Sequence, residues 1–468
     1  MLRGIDMRVR SIGVKGLFGV FNHEIPVHSS ERVTIIHGPN GFGKTVILRM
    51  IASLIEGDES VFEHIPFTEF YVTLENGMVA TIGRKIAEPD ETGKPQVKLQ
   101  FSLRDAEGIT QEVSPVPARL DAPRALLTKV DRLIPTPYRV SGSGWTDGVR
   151  QFSLVEILEK YPSAASIVPR QYRAGVFFEA LKDLQVFFVE ANRLSAESSR
   201  SRRSTLTERL SLTQHAMFDE PDSPPPSRVK QYSDDIVQRI QAVLADYAKH
   251  SQESDRTFPE RLVRFIGTGM SAIDAQEILS RMTELEKIRQ RLISLGLLDS
   301  ETGLSDLTEE DVKRASQALT IYVADVQEKL RVFDDIAQRI GSLMDIINDR
   351  FQYKRLRIDR RHGFRLLSSQ NEAIQLEDLS SGEQHELVVL YELLFRAPQK
   401  GMVLVDEPEI SLHVAWQSRF LSDLIQILEV TDTYAIVATH SPVIIGTRWD
   451  LAVELRGPAT SQVDVPNA

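Results

Sequence analysis

The residues best suited to chemistry are Gly38-Pro39-Asn40-Gly41-Phe42-Gly43-Lys44-Thr45, set directly after the apolar stretch Arg32 to His37 and before the apolar run Val46 to Leu54. Glycines let successive backbone N–H groups curl around a polyphosphate, and a helix opening at the end of the loop adds a favourable dipole. Lys44 would then reach the β- and γ-phosphates, and the Thr45 hydroxyl would hold Mg²⁺. A Gly-rich turn without a ligand is the plain alternative, and the strand–loop–helix setting weighs against it. A second group follows far downstream, where the apolar run Met402 to Val405 leads straight into Asp406 and Glu407. A carboxylate at a strand tip can hold Mg²⁺ through water, which suits Asp406; a second one beside it can polarise an attacking water, which suits Glu407. Alone, such a pair is more often a solvated strand end, but downstream of a phosphate loop the weighting reverses.

Leu379-Ser380-Ser381-Gly382-Glu383-Gln384 stands at the entrance to a helical stretch. It is either an ordinary N-cap or a second anion site made of hydroxyl and backbone donors at a positive helix end. One phosphate loop plus a second phosphate-binding helix start suggests a nucleotide sandwiched between two copies. Finally, Thr439-His440-Ser441-Pro442 follows the apolar run Tyr434 to Ala438. A lone His is usually structural; at a strand end beside the acidic pair, its imidazole could donate to a γ-phosphate.

These groups need elements to hold them. Alternation predicts strands over Arg8 to Val14, Glu69 to Leu74, Val79 to Arg84 and Val97 to Leu103, with Asn76-Gly77 as a hairpin turn. Gln185 to Val189 reads as a further apolar strand, while Asp121 to Pro169 is broken by Pro and Gly and resists assignment. Ser195 to Ser227 is rich in Ser, Arg and Pro and predicts a mobile linker. Leu319, Val323, Val326, Leu330, Phe333, Ala337, Ile340, Met344, Ile347 and Phe351 repeat at spacings of four and three, a heptad seam, with Thr308 and Asp311 as a capping box near its start. Ile278, Met282, Leu285, Leu292 and Leu295 form a matching stripe that ends at Gly296. Two such stripes predict an antiparallel hairpin, either a stubby arm of ~35–40 Å or a helical domain folded onto the rest.

The chain has no cysteine, which excludes a disulfide framework, a Cys-based zinc site and a thiol nucleophile. No signal core or membrane-length apolar run is present, so a cytoplasmic protein without membrane contact is expected. A net charge of −11 argues against a whole-surface grip on nucleic acid. The local basic clusters Arg200, Arg202, Arg203 and Lys354, Arg355, Arg357, Arg360, Arg361 read first as solvated charge.

In this order, the four motifs resemble the ABC ATPase superfamily, in its Rad50/SMC/RecF-like branch. The resemblance covers about Met7 to Thr45 and Arg355 to Leu455. It implies an α/β fold: an ABC-ATPase head, a mixed sheet with a P-loop core plus an antiparallel β subdomain, carrying an inserted helical hairpin. Residues 1–200 would be the N-terminal half-head, 201–352 the linker and helical insertion, and 353–468 the C-terminal half-head. It also implies that Gly38 to Thr45 is the Walker A loop, Leu379 to Gln384 the signature motif and Asp406 and Glu407 the Walker B pair. Ser411 to His413 would be the D-loop and His440 the switch histidine, with Lys44, Glu407 and His440 catalytic. Phe187 to Leu194 looks like the strand into the Q-loop, with Asn192, where Gln is usual, as a Mg²⁺ contact beside Thr45 and Asp406. ATP and Mg²⁺ are the implied ligands, and a head-to-head dimer the implied assembly.

Within that branch, the run Asp406 to His413 resembles stand-alone bacterial anti-phage ATPases of the Septu, retron-associated and PARIS types and relatives of the OLD nucleases. The short stretch after His440 predicts that no nuclease domain follows, so a separate nuclease or toxin effector is expected, with DNA or retron nucleic acid as a further partner. The competing class is a RecF-like DNA-repair clamp. A transporter energy subunit fits poorly with a helical insertion of this size.

Overall fold

The computed structural model describes residues 8–87, 96–113, 131, 139–141, 144–146, 151–152, 176–190, 227–267, 273–299, 308–410 and 414–457. Asn192, the Ser195 to Ser227 linker up to residue 226 with its arginines, most of 121–169 and the expected D-loop at 411–413 lie outside them. The chain divides into two compact units, Met1–Asp219 with Ala397–Ala468, and Glu220–Arg396.

The first unit is built around two sheets. Val33–His37, Met402–Asp406 and Tyr434–Thr439 are apolar along nearly their whole length, the pattern of strands covered on both faces. They lie in a five-stranded parallel sheet in the order Val186–Val189, Met402–Asp406, Tyr434–Thr439, Val33–His37, Ala452–Glu454. The second sheet is antiparallel, in the order Phe21–Pro26, Val9–Leu17, Glu69–Leu74, Val79–Ala87, Gln96–Arg104, Thr110–Glu112. Glu69–Leu74 alternates half-buried and buried, as its sequence predicts, and turns through Asn76 and Gly77, where the Asn76 side chain accepts from Met78 N. The helix Lys44–Glu56 is apolar almost all round. Ile47, Leu48, Met50, Ile51 and Leu54 are fully buried in one core with Ile12, Phe70 and Ile82 of the antiparallel sheet and Ile36, Leu404 and Ile436 of the parallel one.

The second unit centres on the helix Ser381–Phe395, buried from His385 to Phe395. Against it pack the helix Asp334–Arg350 and the sheet Lys354–Asp359, Gly363–Ser368, Ala373–Ile374. The root of a 40-residue helix, Arg228–Gly267, is fastened there too. Tyr232 donates to Glu392 (2.5 Å), Tyr391 donates to Asp235 (2.6 Å), and the two tyrosine rings stack at 4.7 Å. Gly363, at φ 74°, admits the helix because a Cβ there would lie 2.2 Å from the Ser233 carbonyl. Residues 353–396, read from sequence as part of the C-terminal half-head, therefore share a core with helices of the insertion: Leu356, Phe364 and Tyr391 are buried alongside Ile236 and Ile340.

The heptad seam is real but divided. Its helix stops at Arg331 and a new one runs from Asp334 to Arg350, with Phe333 buried at the joint. The pairing of the seam also differs from the sequence expectation. The helix Ala275–Ser294 runs in the same direction as the seam: Ile273 N meets Thr320 Oγ1 at 3.2 Å, while Gly341 lies beside Arg291 and Leu295. The antiparallel partner is Arg228–Gly267, where Tyr247 meets Phe333, Lys329 bonds Asp255 (2.8 Å) and Arg261 grips Asp325 (2.5 and 2.7 Å). Stripe spacing defines which face is apolar; it carries no information on direction. The capping box of Thr308 and Asp311 forms as expected, on the short helix Glu309–Arg314.

Candidate active site

Three neighbouring parallel strands end along one edge of the sheet. Val33–His37 delivers the phosphate loop, Met402–Asp406 delivers Asp406 and Glu407, and Tyr434–Thr439, lying between them, delivers His440. Ligands bind at such carboxyl edges because loops leaving adjacent strands converge there.

In the loop, Gly41 and Gly43 have φ of 86° and 88°, and Gly43 caps the helix that opens at Lys44. Glycine suits position 43 because a φ of 88° strains any residue with a side chain, and a Cβ there would also push on Leu17 Cδ2 at 2.5 Å. Lys44 is 5% exposed, and its ammonium folds back to donate to the carbonyls of Gly38 (2.8 Å) and Pro39 (3.1 Å). Burial lowers its pKa, against the opposing pull of Glu407, Glu409 and Asp406. Thr45 Oγ1 donates to Asp406 Oδ1 at 3.0 Å. Asp406 is itself buried, and that burial raises its pKa; Thr45 draws it down, while Glu407 and Glu190 add to the rise. Glu190, just past the strand Val186–Val189, is a neighbour of the site that the sequence did not single out.

Glu407 holds φ at 44°, an uncommon conformation for a side-chain-bearing residue that costs about 1–2 kcal/mol. Its N–H is bonded to Ala438 O (2.8 Å) and its carboxylate meets His440 Nε2 at 3.1 Å. The sheet thus forces the turn, and the turn aims the carboxylate. Glu409 supplies the brace: it accepts from Thr439 Oγ1 (2.8 Å) and from His440 N (2.9 Å), while Gln417 donates to its carbonyl (3.2 Å). From sequence, Glu409 has no assigned role. Its signal was the partnership of Thr439 and Glu409 across two strand ends, which only the strand order reveals.

The signature residues belong to the second unit. Ser380 is the N-cap of Ser381–Phe395 and forms a full capping box with Glu383: its Oγ accepts from Glu383 N (3.3 Å), and the Glu383 carboxylate accepts from Ser380 N (2.8 Å) and Oγ (2.9 Å). Lys354 Nζ donates to both Glu383 oxygens (3.1 and 2.8 Å). Burial raises the Glu383 pKa, but Lys354 and Ser380 outweigh it and the net direction is down. Ser380 and Ser381 are exposed.

With this geometry in hand, relatives can be placed. Residues 220–446 match the family described as "AAA domain, putative AbiEii toxin, Type IV TA system", a little under half of the chain. The chain is 40% identical over 67 residues to protein ea59 of Escherichia phage lambda, and 30% identical over 118 residues to the DNA replication and repair protein RecF of Chlorobium luteolum. Those segments are 14% and 24% of this chain and span only 13% and 31% of the relatives. Among solved structures, the SMC head domain of Pyrococcus furiosus bound to the C-terminal domain of ScpA aligns with TM-score 0.33 and 15% identity, covering 96% of this chain and 94% of that one. The SMC head domain from Thermotoga maritima gives 0.30 and 11%, covering 95% and 92%. Over part of its length the chain is thus similar to an AAA-domain family and to a segment of RecF, and its loop and acidic pair have the geometry of a nucleotide-binding site.

Proposed function

We propose that the chain binds Mg-ATP on its phosphate loop, that two copies close around the nucleotide, and that Glu407 then drives hydrolysis. The carrying observation is the convergence of a buried ammonium, a Thr–Asp pair and a Glu–His pair on the ends of three adjacent strands. The residues fit the group. Lys44 is buried on two backbone carbonyls, weak partners that phosphate oxygens would replace. Thr45 and Asp406 would hold Mg²⁺, which when bound neutralises charge gathering on the β- and γ-phosphates. Glu407 orients the attacking water and takes its proton, and His440 steadies Glu407 before turning its Nε2–H to the γ-phosphate. The exposed Ser381 and half-buried Gly382 of a second copy would cover that phosphate. Light scattering tests the pairing: Glu407→Gln with ATP should run as a dimer, and a monomer at saturating ATP overturns it.

The pairing would serve a separate nuclease or toxin effector in a bacterial anti-phage complex. Two things support this: the Asp406 to His413 run, and the toxin and type IV toxin–antitoxin wording of the matching family. Affinity purification from the native host should return the effector in fixed stoichiometry; recovery of the chain alone would count against it. A DNA clamp is the second reading, favoured by one observation. Arg355, Arg357 and Arg365 share the exposed face of a hairpin, with Arg357 directly opposite Arg365. Like charges so placed repel unless an anion lies over them. DNA affinity falling steeply with salt, with a slope reduced by about 0.9 per arginine removed, would favour that reading.

A further inference from the structure

We infer that His23 is a positioning residue of the phosphate loop, which by holding the Phe42 carbonyl outward turns the Gly43 N–H into the cradle. This rests on the nucleotide-binding reading of the loop. His23 lies on Phe21–Pro26, 6% exposed, with Nε2 at 3.2 Å from Phe42 O. The acceptor is a carbonyl, so Nε2 carries the hydrogen. A trans peptide points its C=O and its N–H in opposite directions. Fixing Phe42 O toward the hairpin therefore fixes the Gly43 N–H toward the far side, where the loop curls ahead of Lys44.

Three contacts fasten this crown of the loop to the hairpin. The Phe42 ring meets Phe21 edge-on at 5.0 Å, Gly43 lies against Leu17, and His23, itself stacked on Phe21 at 5.6 Å, bonds the backbone. Only the last has direction. The first two hold the loop near the hairpin but leave the peptide between residues 42 and 43 free to flip, and a flipped peptide would present a carbonyl oxygen to a triphosphate. Burial lowers the His23 pKa, which keeps the imidazole neutral and its single hydrogen committed to Phe42.

The test is titration with a fluorescent ATP analogue in Mg²⁺ buffer, comparing the wild type with H23M, H23Q and K44A. Met fills the space without a donor, and Gln restores an amide N–H near the Nε2 position. H23M should weaken binding about tenfold, the worth of one hydrogen bond to a preorganised site, and H23Q should stay within about twofold of wild type. Equal affinities for H23M and H23Q, whether lowered or not, overturn the role of the donated hydrogen. Failure of the wild type to bind sinks the nucleotide reading instead. A folding defect lowers the number of sites titrated and not their Kd. One measurement needs no variant: in ¹⁵N-glycine-labelled wild type, the Gly43 amide resonance should move downfield with ADP and Mg²⁺, and an unmoved resonance overturns the inference.

Discussion

The phosphate loop and the signature tip treat polar groups in opposite ways. At the loop, charge is inside: Lys44 is 5% exposed and Asp406 7%, one satisfied by two carbonyls and the other by a threonine hydroxyl. Burying ionisable groups on such partners is costly, and a polyanion with its cation relieves the cost. At the tip, Ser380 and Ser381 are exposed, and the helix cap made by the Ser380 hydroxyl and Glu383 is already complete. Nothing there is strained without a ligand. The first region is poised to bind on its own, whereas the second acquires a task only when a phosphate is brought to it.

The sharpest way to break this contrast is Glu407→Gln, which should lower phosphate release by about 10²–10⁴-fold while leaving nucleotide affinity within about twofold. Turnover unchanged in a coupled phosphate assay would remove Glu407 from its assigned role. Lys44→Ala comes next: affinity should fall about 100-fold in the same titration, with no loss of thermal stability in the ligand-free protein, because a buried charge has gone. Ser380→Ala should do the reverse, costing about 1 kcal/mol of stability by calorimetry without touching the nucleotide affinity of the isolated chain; a weakened affinity would mean that the tip is not an independent half.

The smallest effect concerns pH. Burial, foremost, raises the Asp406 pKa above its unfolded value. The folded chain then holds that proton more tightly than the unfolded one, so the stability cost of ionising Asp406 is absent at acid pH and grows as pH rises through the folded value. Ligand-free Asp406→Asn should therefore melt higher than wild type at neutral pH, by no more than about 2 kcal/mol. The gap should close on acidification, and a gap independent of pH would contradict the burial argument.

Much of this was legible from residue order. Glu69 to Leu74 alternates, and the apolar runs before Gly38, Asp406 and His440 announce buried parallel strands whose ends carry chemistry. What escaped did so for physical reasons. The helix Arg228–Gly267 fully buries only Val229, Tyr232, Ser233, Ile236 and Ile240, all in its first turns; the remainder leaves apolar residues such as Val263 and Ile266 exposed and contains Pro259, a residue that normally ends helices. Arg261 steadies the turn there by donating to Ser254 O (3.0 Å) as well as to Asp325. The direction of Ala275–Ser294 was hidden because apolar spacing is the same read either way. Glu409 and His23 act through backbone atoms of other strands and loops, partners that no local pattern names.

The long helix has a mechanical corollary. Its first turns are clamped to Ser381–Phe395 through Tyr232 and Asp235, while the rest extends toward a far end about 50 Å away at the α-helical rise. Braced along that length by Lys329 on Asp255 and Arg261 on Asp325, it moves together with Ser316–Arg331 as one stiff arm, and a tilt of about 5° at the root sweeps the far end through about 4 Å.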